Sequence, residues 1–288
     1  MIASAESIPP PIFHTTHCAV RLGDNLAHLH FLRKMAEAYP GHRFTHFCHA
    51  DYLNQLWPVV HDQPRIALLP FPKSDPGPLR WHTGVPPVFC SVNAWKNVGD
   101  WWANHPERMQ YAAFMLHWFE ELASRMGGLK SPIETGEDLL FDYPALSRPL
   151  ADAPQDHVLF INSRPMSGQL PGIDAGELDR LGLDLADANP FVVTTAPLSE
   201  KRRNVICTDA MGWSVTSIGR LSTCAKHIIG VATGPCWTTF NRWSAARVQH
   251  RVMLCEEFLG GIPSAKSNVT FNRIEPARRW LKDAGILP

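Results

Sequence analysis

The chain has 288 residues, 45% hydrophobic and 19% charged, a globular composition whose length suits two modest α/β domains or one large one. Its 27 basic and 27 acidic side chains cancel, so no net field points to nucleic acid or to an anionic membrane. Met1–Pro11 lacks a basic region followed by an apolar core, and no apolar run reaches the length of a membrane span, so a cytoplasmic protein is expected.

The first half alternates strands and helices. "HCAVRL" (17–22) reads as a strand that breaks at Gly23-Asp24 into an amphipathic helix carrying Leu26, Leu29, Leu32, Met35 and Ala36 on one stripe. Pro40-Gly41 stops that helix. A strand at 43–49, a short helix at 50–57 and a strand at 65–71 follow, a succession that implies parallel pairing through right-handed crossovers. Residues 72–106 are rich in Pro, Gly and Trp and read as a long irregular insert, the kind of stretch that is usually functional. A helix over 107–126 presents Ala112, Met115, Phe119, Leu122 and Met126 on one face.

The proline-rich run 141–157 is the expected hinge, dividing an N-terminal domain (1–145) from a C-terminal one (146–288). Beyond it come strands at 157–163, 191–196, 204–209, 227–232 and 251–256. Helices are expected near 174–185, 214–225, 236–247 and 275–285, the last packing back on the first domain. The predicted fold is therefore α/β, two Rossmann-like parallel-sheet domains facing across a cleft.

The seven cysteines are scattered, with no C-x-x-C, and read as reduced, buried small hydrophobes. Neither His28 with His30 nor His46 with His49 has matched ligand spacing, so no metal site is expected. Asn268-Val269-Thr270 matches a glycosylation sequon, which carries no weight without a secretory signal.

Ligands of open parallel sheets bind beyond the carboxyl ends of the strands. At the first such junction, Gly23 permits close backbone approach, and Asp24 or Asn25 either caps the helix or faces the cleft. At "GVATGPCWTTF" (230–240), Thr233 and Gly234 with a helix start suit a phosphate, although Pro235 also suits a purely structural first turn. At "INSRPMSGQLPG" (161–172), Ser163, Ser167 and Gly168 offer donors to an anion and Arg164 a bidentate cation, or else form a solvated turn. "TDAMGWS" (208–214) places Met211 where it can pack on a base or sugar, or simply fill a loop.

These junctions, in this order, resemble the GT-B glycosyltransferases of the ADP-heptose:lipopolysaccharide heptosyltransferase type (glycosyltransferase family 9). The likeness rests on "LGDNLAHLHFLRKMA" and on "WSVTSIGRLSTCAKHIIGVATGPCWTTF", and covers the first fifty residues and roughly 157–257. By matched position, the resemblance implies that Asp24 activates an acceptor hydroxyl and that Thr233 and Gly234 contact the donor diphosphate. It also places Ser163 in a donor-touching loop. The family's acidic residue before T-G is Ala232 here, its following histidine is absent, and its loop lysine has only Arg164 nearby.

The implied reaction is inverting glycosyl transfer from a nucleotide-activated sugar. No D-x-D occurs, so no metal or other cofactor is expected. Trp81, Trp95, Trp101 and Trp102 offer faces for an acceptor sugar, with His82, Asn93 and Lys96 as polar partners, or fill a satellite core. Gly23 and Asn25 complete the expected acceptor side. The expected partners are a nucleotide-sugar donor and a glycan or small-molecule acceptor, with no nucleic acid; peripheral contact with the inner face of a membrane stays open. Two alternatives remain: an inactive nucleotide-sugar- or glycan-binding module, motivated by the altered T-G surroundings, and a different nucleotide-sugar enzyme such as an epimerase.

Overall fold

The computed structural model describes residues 11–18, 21–70, 88–90, 111–163, 173–255, 263 and 266–288. Strand β1 (Ile12–Cys18) leads to helix α1 (Leu22–Ala38), then β2 (His42–Cys48), α2 (Leu53–Val60) and β3 (Ile66–Pro70). A further strand, β4 (Val88–Cys90), lies inside the stretch expected to be irregular and pairs in parallel with β1. The sheet runs β3-β2-β1-β4, all parallel.

β1 begins earlier than the run read from sequence, which shares only His17 and Cys18 with it. Its polar residues hid it. His14 and Thr16 are buried but satisfied across the strands, His14 Nε2 bonding His42 Nδ1 at 2.7 Å and Thr16 Oγ1 bonding His46 Nδ1 at 2.8 Å.

The expected stripe of α1 is buried, and so are His28, His30, Phe31 and Arg33. Helix α3 (Tyr111–Arg125) covers part of this surface: Phe31 stacks on Phe119 at 5.1 Å, and His28 meets Trp118 edge-on at 5.0 Å. Each large apolar side chain so enclosed contributes about 1.5–3 kcal/mol. The buried Arg33 guanidinium is paired, forked on Asp62 at 2.6 and 3.0 Å.

The run expected to be a hinge is instead stitched into both halves. Phe141, Tyr143 and Leu146 are buried. Phe141 N donates to Phe240 O at 2.8 Å, Arg242 N donates to Phe141 O at 3.1 Å, and Lys34 of α1 pairs with Asp142 at 2.6 Å. Of its prolines, Pro144 opens a single 3-10 turn over Pro144–Leu146.

The second half contains β5 (His157–Ile161), α4 (Ala175–Ala188), β6 (Val192–Thr194), β7 (Val205–Cys207), α5 (Val215–Ser222) and β8 (Ala225–Val231). Then come α6 (Gly234–Trp237), α7 (Arg242–Arg247), β9 (His250–Leu254), β10 (Ser267–Phe271) and α8 (Ile274–Asp283). The sheet order is β10-β9-β8-β5-β6-β7, all parallel. Numbered within this half it is the Rossmann order, with the chain reversing direction between β5 and β8.

The single helix expected over 236–247 is broken at Asn241. This buried side chain accepts from Ser244 N at 2.8 Å, capping α7, and donates to Thr238 O at 2.8 Å. β10 was not foreseen, because its sequence SNVTF is short and polar for a strand. Helix α8 packs against α4, β9 and β10 of its own half. Among the described residues no helix is long and apolar enough to cross a membrane.

Candidate active site

In each sheet the crevice for a ligand lies where the strand order reverses, between β1 and β4 in one and between β5 and β8 in the other. The chain leaves β1 into α1 and leaves β8 into α6, and these two helix starts touch. A Cβ added to Gly234 would lie 3.2 Å from Leu22 Cβ and 3.4 Å from Gly23 N. A Cβ on Gly23 would lie 2.5 Å from the indole Nε1 of Trp237. Only glycine permits so close an approach at both positions, and the contact brings Asp24 to the Thr233-Gly234 turn.

Neither Asp24 nor Asn25 caps α1. The N-cap is Arg21, extended at φ −138° and without a side-chain cap, and Asp24 stands within the first turn. Burial raises the Asp24 carboxyl from 3.8 to about 6, against the opposing pull of the Arg21 guanidinium. The group is then mostly ionised at neutral pH, yet is a better proton acceptor than an exposed aspartate.

Asn25 is fully buried and supports the turn, with one hydrogen bond at each end of its amide. Its Nδ2 donates to Arg21 O at 2.6 Å, and its Oδ1 accepts from His46 Nε2 at 2.9 Å. His46 Nδ1 therefore accepts the Thr16 hydroxyl, so the ring is neutral in a single tautomer, and burial depresses its pKa strongly. A directed chain, Thr16 to His46 to Asn25 to Arg21 O, thus ties the turn bearing Asp24 to the sheet. His28, one turn beyond Asp24, is held at about 4, chiefly by burial, against the raising effect of a hydrogen bond to the Asp24 backbone.

On the facing side, Thr233 is 8% exposed and its hydroxyl has no hydrogen-bond partner. Helix α6 has only four residues, so its dipole is slight and the anion-binding part of that junction falls to the hydroxyl and a few backbone N–H groups. Ser163 sits at the carboxyl end of β5, across the crevice, but its hydroxyl donates to Thr195 Oγ1 at 2.7 Å, tying β5 to β6. Asn162 reinforces that tie, accepting from Thr195 N at 3.0 Å and Ala196 N at 2.8 Å. Met211 is 58% exposed and follows β7, the far edge strand, so it is not drawn to the reversal point.

Arg164, Ser167, Gly168, Trp81, His82, Trp95 and Lys96 lie outside the described residues, as do Asn93, Trp101 and Trp102. Among the described residues no group of three or more His, Cys, Asp or Glu side chains comes together as a metal site. Sequence reasoning missed Trp237, whose indole covers Gly23, and the Asn25–His46–Thr16 chain. An aromatic four residues after Thr233, and polar residues on two strands of a buried sheet, were the available signals.

Two parallel Rossmann-type sheets meeting through the helix starts at their reversal points define the GT-B fold. No family model matches the chain, and no curated protein does. Among solved structures it is similar to E. coli heptosyltransferase WaaC with ADP-2-deoxy-2-fluoro heptose, at TM-score 0.55 and 14% identity, over 95% of this chain and 100% of that one. The same enzyme with ADP matches at TM-score 0.55 and 14% identity, over 94% and 99% of the respective chains. At that identity the likeness is one of fold.

Proposed function

We propose that the chain is a glycosyltransferase that moves a sugar from a nucleotide-activated donor to a hydroxyl acceptor. The contact between the first turn of α1, which bears Asp24 with its raised pKa, and the Thr233-Gly234 turn, whose buried hydroxyl has no partner, supports this reading. The fold shared with a heptosyltransferase supports it by analogy.

The donor diphosphate rests on the second half, against the Thr233 hydroxyl and Gly234, with Ser163, Arg164, Ser167 and Gly168 in the loop after β5. Asp24 accepts the proton of the acceptor hydroxyl as its oxygen attacks the anomeric carbon. The bond from that carbon to the diphosphate breaks, and the nucleoside diphosphate leaves with the electron pair, inverting the configuration. In this reading the positive charge of Arg21, which acts on Asp24, and that of Arg164 compensate the departing anion, and no metal ion is required. The residues proposed for acceptor binding are Trp81, His82, Trp95 and Lys96 of the Trp-rich insert.

A binding module without turnover is the second reading, favoured by Ala232 at the position where the resembling enzymes carry an acid. The deciding experiment is a thermal-shift screen of nucleoside diphosphates followed by product analysis with the matching nucleotide sugars. Stabilisation by a nucleotide and transfer abolished by Asp24→Asn support the transferase; stabilisation without any product supports the module. No response to any nucleotide overturns both.

A further inference from the structure

The amino ends of β8, β9 and β10 carry a second constellation, at the opposite end of the sheet from the cleft. Strand register sets His227 opposite His250, and His250 opposite Ser267, so the three form one lateral row. The imidazoles stack at 5.2 Å with planes 12° apart, and Trp280 of α8 closes on His250 edge-on at 5.4 Å. His250 Nδ1 and Ser267 Oγ share a hydrogen bond of 2.8 Å. His227 is 5% exposed, and its Nδ1 has no hydrogen-bond partner.

One residue nearer the amino edge lies a row of Lys226, Gln249 and Lys266. Gln249 N donates to Lys226 O at 2.8 Å, and Ser267 N donates to Gln249 O at 3.2 Å. Both lysines are exposed. The charged groups acting on His227 are His250, Lys226 and Lys266, and those acting on His250 are the same two lysines. All are basic. Burial first, then these cations, hold His227 at about 4 and lower His250. A buried ring nitrogen without a partner costs stability, and clustered like charges add to that cost. An anion relieves both.

We propose that this row is a binding site for a phosphate-type oxyanion, gripped by Lys226 and Lys266 and by the imidazoles of His227 and His250. A bound anion favours the protonated ring, so binding takes up protons and tightens as the pH falls. The site is independent of the cleft chemistry and stands whether or not the chain transfers sugars.

The test follows the ring signals of His227 and His250 by NMR in the full chain, as inorganic phosphate replaces sodium chloride at constant ionic strength. The expected result is a saturable change that moves the His250 midpoint upward by about half a pH unit. It should disappear in the double variant Lys226→Gln/Lys266→Gln, whose thermal midpoint is no lower than that of the parent. Overturning results are no saturable change, the same change with chloride alone, or an undiminished response in the double variant. A second arm uses phosphatidylcholine vesicles containing phosphatidic acid. Lysine-dependent co-sedimentation assigns the phosphate to a lipid headgroup, and a response to free phosphate alone assigns it to a soluble ligand.

Discussion

Gly23 and Gly234 lie backbone against backbone: a Cβ added to Gly23 would stand 3.6 Å from the α-carbon of Gly234, and one added to Gly234 3.4 Å from the amide nitrogen of Gly23. Two positions more than two hundred residues apart in sequence thereby share one point in space, and their chain neighbours Asp24 and Thr233 stand on the two turns that meet there.

Gly23→Ala drives a methyl into Trp237, with the indole nitrogen 2.5 Å and its neighbouring carbon 2.6 Å from the new Cβ. Overpacking of this kind costs about 1–3 kcal/mol. Chemical denaturation should register the loss, and adding Trp237→Ala should recover part of it, because the two changes share one clash. Additive losses would show that the indole is not the obstruction.

Asp24→Asn should lower transfer by about 10²–10⁴-fold and leave nucleoside diphosphate affinity close to that of the parent. In the parent, kcat/KM should rise with pH through about 6, where the carboxyl ionises. Stability should respond the other way. Between pH 3.8 and about 6 the folded chain keeps a proton that the unfolded chain has released, so the cost of ionised Asp24 grows across that window and is complete above it. The asparagine variant should therefore be more stable at pH 7.5 by on the order of 2–3 kcal/mol, with the gap closing by pH 4.

Thr233→Val keeps the shape and removes a buried hydroxyl that bonds to nothing within the chain. The variant should be as stable as the parent or slightly more so, since an unsatisfied buried polar group costs about 1–3 kcal/mol. Nucleoside diphosphate affinity should nevertheless fall about tenfold, the equivalent of one lost hydrogen bond. Calorimetric titration read beside a melting curve separates the two effects, and unchanged affinity would remove Thr233 from the donor site.

His28 is fully buried, and burial lowers its pKa to about 4. As the pH falls from 6.5 toward 4 the unfolded chain takes up a proton that the folded one refuses, so stability drops in that window. His28→Leu should flatten the drop by up to about 3 kcal/mol, whatever its offset at neutral pH. Parallel slopes for parent and variant would mean that other groups set the acid limit.

Periodicity was enough to read α1, because its apolar stripe recurs at helical spacing and is buried as expected. β1 escaped, because its interior face is His14 and Thr16, polar groups whose burial depends on His42 and His46 in the neighbouring strand. The break between α6 and α7 escaped for a similar reason: Asn241 looks like any polar helix residue until its cap on Ser244 is seen. Strand-end chemistry singled out Asp24, Thr233 and Gly234, and the structure brings the two turns that bear them into contact. The scaffold bond of Asn25 was not legible, since its partner His46 is supplied by tertiary structure. Trp237 over Gly23 is a long-range contact that no local pattern encodes.

Phe141 shares two main-chain bonds with the segment around Phe240 and Arg242, and its neighbours Tyr143 and Leu146 are enclosed. A gene truncated after this connector would strip α1 of part of its wrapping, and one begun after it would deprive the second lobe of a strand-like partner. The connector is thus shared packing, and a cut on either side of it takes contacts from one lobe or the other.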